Sequence, residues 1–176
     1  LTSADPGAPG RRLVLIGAPG AGKSTVGRRL ARRWGVPFQD SDDLVESVAG
    51  KSVSEIFVDE GEAAFRAYER DVIAAALDEL TGVLALGGGA ILDPTTRQRL
   101  SAQPCAWLRV GVSEATRRVG LNASRPLLLG NVRGTLITLL DERTPLYEEV
   151  ATWVIDTDGR SIDGVVDAVA HAVEAA

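Results

Sequence analysis

Residues 17–24 read GAPGAGKS, which fits the pattern G-x-x-x-x-G-K-[ST]. The apolar run RLVLIG (12–17) precedes it, and the helical pattern GKSTVGRRLARRWG (22–35) follows. Glycines there let the backbone turn so that consecutive N–H groups face inward. Those groups and the positive end of the following helix suit a chain of phosphates. Gly20, Ala21, Gly22, Lys23, Ser24 and Thr25 are therefore candidate nucleotide-binding residues. Lys23 would reach the β and γ phosphates, and the Ser24 hydroxyl would ligate magnesium. This pattern implies a nucleoside triphosphate site but names no reaction.

A second group of residues narrows the chemistry. PFQDSDDLVE (37–46) places Asp40, Asp42 and Asp43 within four positions. Acids so close repel one another, so a metal, a substrate or a helix end must relieve them. Asp40 closes the second apolar run beside the phosphate loop. It is expected to hold the metal through a coordinated water, because magnesium keeps several waters. Asp42 stands where the strand turns into a helix, a place where aspartate also serves as a cap. Asp43 begins that helix, whose positive end favours an acid. The third apolar run ends LALGGGA, with no acid, and no N-K-x-D motif occurs anywhere. A motor ATPase or GTPase would carry such features. Their absence points to a small-molecule kinase in which the second strand serves both metal and acceptor.

These residues need a scaffold, and the periodicity supplies one. Strands are expected at 12–17, 36–40, 83–89, 105–110 and 153–157. Helical patterns lie between them: 22–35 with Gly35 as its stop, one opened by the capping box Ser52–Glu55, and 62–80. The end, SIDGVVDAVAHAVEAA, is another. Strands alternating with helices imply an α/β fold, a parallel sheet covered on both faces in three α/β/α layers. Ligands then bind beyond the carboxyl ends of the strands, where GAPGAGKS, QDSDD, GGGA and DTDGR converge. GLNASRPLLLGN (120–131) is a candidate mobile loop. Residues 1–10 read as a disordered arm and residues 11–176 as one domain.

Composition excludes other classes. The chain has 176 residues, 45% of them hydrophobic, and a net charge of −5, which argues against a nucleic-acid partner. No apolar run approaches the roughly 20 residues of a membrane span, and no secretory signal is seen. Lys23 and Lys51 are the only lysines, which makes Lys23 conspicuous. A single cysteine, Cys105, forbids an internal disulfide and suits a reducing, cytoplasmic compartment. His171, the only histidine, is far from every motif and reads as a packing residue.

Taken together, GAPGAGKST, the DSD of 40–42, FR (65–66), GGGA (87–90), RPLL (125–128) and ERTPLY (142–147) resemble shikimate kinase. They occur in that family's order from about residue 12 to 175. The resemblance implies a P-loop kinase of the nucleoside-monophosphate-kinase type, strand order 2-3-1-4-5, with a lid at about 120–130. It implies transfer of the γ-phosphoryl of ATP, with Mg2+, to the 3-hydroxyl of shikimate, a step toward chorismate and aromatic amino acids. By motif, Asp42 grips the acceptor hydroxyl and takes its proton, while Lys23 and Arg125 meet the transferring phosphate. Arg66 and Arg143 hold the shikimate carboxylate, as a planar guanidinium can. Gly88 and Gly89 approach through their main chain, and Phe57 and Phe65 wall the ring. Arg118 and Arg160 flank adenine, although Arg117 beside Arg118 leaves the register open. A monomer is expected.

Simpler readings compete at single positions. Arg66 is spaced to pair with Glu62 or Glu69 on its own helix, and the two phenylalanines suit a core. A gluconate kinase of the same fold is the nearest rival activity. A regulatory nucleotide-binding module would lack the base or the lid arginine, and both Asp42 and Arg125 are present.

Overall fold

The computed structural model describes residues 11–120 and 130–176. Five strands form one parallel sheet in the order β2-β3-β1-β4-β5. They are β1 (Leu13–Ile16), β2 (Phe38–Asp40), β3 (Val83–Ala85), β4 (Cys105–Arg109) and β5 (Trp153–Asp156). The sequence LVLI makes β1 apolar on both faces, and it is buried on both, between β3 and β4. The expected order and parallel pairing are thus present.

Helices connect the strands. α1 (Lys23–Trp34) follows the phosphate loop and stops at Gly35, whose φ of 65° is left-handed. α2 (Ser41–Ala49) leaves β2 directly, and α3 (Val53–Asp59) starts at the full Ser52–Glu55 capping box. α4 (Glu62–Asp78) buries Phe65, Glu69, Val72 and Ile73 and returns the chain to β3. A 3-10 turn (Ala90–Leu92) and α5 (Pro94–Leu100) lead to β4. α6 (Val112–Gly120), α7 (Val132–Val150) and α8 (Ile162–Glu174) complete the described chain.

Several boundaries differ from the expectation for plain reasons. β2 begins at Phe38 rather than 36, because Pro37 has no N–H for the ladder; its carbonyl still accepts from Val83 N at 2.9 Å. α2 begins at Ser41, so its cap is Asp40 and not Asp42; Asp40 Oδ1 accepts from Asp42 N at 3.0 Å. α5 was not foreseen, although Asp93-Pro94 is a helix-start signal, with Asp93 Oδ1 accepting from Thr96 N at 2.9 Å. α7 runs through ERTPLY with Pro145 inside it, a residue that normally ends a helix.

Candidate active site

The phosphate loop is shaped by what lies behind it. At Gly17 (φ +148°) a Cβ would stand 2.5 Å from the Leu108 carbonyl of β4, so only glycine lets loop and strand meet. Lys23 is buried, and its Nζ donates to Gly17 O at 2.8 Å and Ala18 O at 3.1 Å. The ammonium is thereby held inside the loop it is expected to serve. Ser24 Oγ donates to Asp40 Oδ2 at 2.5 Å. This bond joins the two expected metal-binding residues across the ends of β1 and β2.

A cleft of about 570 Å³ opens above the loop. Residues 20–26, Asp40, Asp42, Gly87 and Gly88 line it, together with Arg117, Arg118 and Arg160. The two neighbouring arginines differ in their surroundings. Arg118 is half-buried; its guanidinium donates to Gly20 O at 3.1 Å and to Thr157 O at 3.3 Å, tying the loop to the end of β5. Arg117 is exposed and pairs with Glu114 at 2.5 Å. Hydrogen bonds from Arg117 and Arg118 hold the Glu114 carboxyl down at about 2. Arg160 is exposed at the same rim.

A second group of residues gathers around the glycine triplet. Gly87 N donates to the buried Ser41 Oγ at 2.8 Å, anchoring the triplet to the first residue of α2. A Cβ on Gly87 would lie 2.9 Å from both Asp42 Oδ1 and Glu69 Oε1. On Gly89 it would lie 2.2 Å from Arg66 Nη2. None of the three has positive φ, so what glycine supplies here is room beside Asp42, Glu69, Pro19 and Arg66 rather than a left-handed turn.

Arg66 makes both ion pairs that its spacing suggests, to Glu69 Oε2 at 2.6 Å and to Glu62 Oε1 at 3.4 Å. It also lies 5.2 Å over the ring of Phe65. Phe65 is buried and Phe57 half-buried, with their rings 4.7 Å apart. Arg143, on α7, is buried, and its Nε has no hydrogen-bond partner among the described residues. Glu69 is 3% exposed and carries the field of Arg66, Asp42 and Arg143 at once. Burial raises its carboxyl above the usual value, against the opposing pull of Arg66. Sequence reasoning treated Glu69 only as a competitor for Arg66, and it missed Ser41 and Tyr147 altogether. Arg125, the expected lid and the N-terminal arm lie outside the described residues.

Comparison with known proteins decides between acceptor classes. The family model described as shikimate kinase matches residues 19–174. The chain belongs to the shikimate kinase family. A shikimate kinase of Saccharopolyspora erythraea is 54% identical over 163 residues, covering 92% of this chain and 93% of its own. A shikimate kinase from Acinetobacter baumannii, solved in complex with shikimate, superposes with a TM-score of 0.89 at 34% identity, over 95% of both chains. A gluconokinase from Sinorhizobium meliloti reaches a TM-score of 0.58 at 17% identity, a likeness of fold alone. The shikimate kinase reaction, phosphorylation of shikimate by ATP on the way to aromatic amino acids, is therefore the activity of this chain.

Proposed function

We propose that the chain transfers the γ-phosphoryl of ATP to the shikimate 3-hydroxyl with the following division of labour. The observation that carries it is the shared cleft: the phosphate loop, Asp42, Gly87 and Gly88 face one space. Residues 20–25 cradle the phosphates, and Lys23 and Arg125 neutralise the charge that spreads over the transferring group. Asp42 grips the acceptor hydroxyl and takes its proton as the new bond to phosphorus forms. Arg66 and Arg143 hold the carboxylate, the main chain of Gly88 and Gly89 closes on the ring, and Phe57 and Phe65 wall it. Arg118 and Arg160 flank adenine, Arg118 being the one braced against the loop. The role of Arg125 and of a lid at about 120–130 rests on the RPLL match.

Magnesium fits this site. Ser24 Oγ and Asp40 Oδ2 are hard oxygen donors already in contact. Among the described residues no cluster of three or more His, Cys, Asp or Glu could hold a metal alone. That suits an ion completed by substrate phosphates and waters. When bound with ATP, it would screen the phosphate charge. No described helix is long and apolar enough to cross a membrane. A monomeric enzyme in the reducing cytoplasm completes the reading; the free, buried Cys105 supports the compartment.

The test is a coupled assay with ATP, Mg2+ and a panel of hydroxy acids. ATP consumption should require shikimate and stop when magnesium is chelated. Equal turnover of gluconate, or none of shikimate, would refute the proposal.

A further inference from the structure

Tyr147 lies one helical turn beyond Arg143 on α7, so both side chains leave the same face. It is 1% exposed. Its hydroxyl donates to the Gly88 carbonyl at 2.6 Å. Arg143 lies within hydrogen-bonding reach of the same hydroxyl. The ring stacks on Trp107 of β4, with centroids 5.7 Å apart and planes 23° from parallel. One phenol therefore touches both an arginine and a glycine assigned to shikimate above. Burial pushes the phenol up to about 12, against the pull of Arg143, so the O–H stays a donor across neutral pH.

The bond to Gly88 has a geometric consequence. The Gly88 carbonyl and the Gly89 N–H belong to one planar trans peptide and point in opposite directions. Anchoring the carbonyl toward α7 aims the N–H away from α7. Without the anchor, the plane between two glycines turns with little steric resistance.

We propose that Tyr147 is a positioning residue for shikimate: its hydroxyl sets the Gly88–Gly89 peptide plane and aligns Arg143 with it. The inference rests on the shikimate reading of Arg143, Gly88 and Gly89. The ring and the hydroxyl have separable duties, with the ring packing on Trp107 and the hydroxyl serving the site.

Tyr147→Phe keeps the ring and removes only the hydroxyl. Steady-state kinetics should show the shikimate KM raised about tenfold, with the ATP KM within about twofold, as for one lost buried hydrogen bond. Trp107→Leu removes the stacking partner and keeps the hydroxyl; it should lower Tm and leave the shikimate KM unchanged. An unchanged shikimate KM in Tyr147→Phe would overturn the inference, as would an equal rise for ATP. Failure of that variant to fold would overturn it too, since the hydroxyl would then hold the fold rather than the site. The wild-type assay separates the two levels: loss of shikimate turnover there defeats the functional reading itself.

Discussion

Glu69 holds Arg66 through one carboxylate oxygen at 2.6 Å, while its other oxygen is buried without a hydrogen-bond partner among the described residues. Its folded pKa is raised, chiefly by burial. Below the ordinary value the group is protonated in both folded and unfolded chains, and its contribution to stability is whole. As pH rises through the folded value, an ionised carboxylate must be kept buried, and that stability is lost. Glu69→Gln is neutral at every pH. Its Tm should gain on wild type as pH rises above the ordinary carboxylate range, while its shikimate KM should increase because Arg66 loses a charge-assisted partner. A Tm difference that does not move with pH would refute the account.

The three clustered aspartates should separate cleanly. Losing a positioned base typically costs about 10²–10⁴-fold in rate, so Asp42→Asn should lose that much and still bind ATP. Asp40→Asn should lose rate and need more magnesium; it also loses part of the α2 cap. Asp43 faces solvent, 3.6 Å from Arg28, and an exposed pair contributes about 0–1 kcal/mol, so Asp43→Asn should be nearly silent. A fully active Asp42→Asn protein with a native circular dichroism spectrum would remove the base assignment.

Arg66→Ala and Arg143→Ala should each weaken shikimate binding by roughly tenfold to a hundredfold, as expected for charge-assisted bonds of about 1.5–3 kcal/mol. ATP affinity, measured by calorimetry, should change little. Equal losses for both ligands would assign these arginines to the fold or the nucleotide.

Gly89→Ala tests the close approach of triplet and arginine. The new methyl would meet the Arg66 guanidinium, at 2.2 Å from Nη2 if nothing moved. Arg66 must shift, so the shikimate KM should rise several-fold while Tm changes little, because a guanidinium at the end of a flexible side chain can yield. A variant with wild-type KM would show that Arg66 adapts without loss.

Local signals were read well from the sequence, and contacts between distant segments were not. GAPGAGKS specifies its own turn, and the apolar runs mark all five strands, because both depend on neighbours along the chain. The Ser52–Glu55 box is local in the same way. The start of α2 was expected two residues late, at Asp43, since Asp40 and Asp42 are equally good caps until the helix start is known. α7 escaped notice because Pro145 interrupts its pattern, and tertiary packing overrides that break. Glu69 and Tyr147 look like an ordinary helix acid and a core aromatic. Their importance lies in contacts with Gly87 and Gly88, far off in sequence. Nor could adjacent arginines be ranked without knowing that Arg118 turns toward Gly20.

The placement of β1 and β2 carries a consequence for how the enzyme fails. β1 is the middle strand with all four residues buried, whereas β2 is a three-residue edge strand, partly exposed. Edges with few buried contacts open first in sub-global fluctuations. The phosphate loop hangs from a fully buried central strand, and Asp40 and Asp42 follow a partly exposed edge strand. Under mild heat or denaturant, amide exchange should therefore release β2 before β1. The chain would pass through a form that still grips nucleotide but has mislaid Asp42, the proposed base, losing catalysis while nucleotide binding persists.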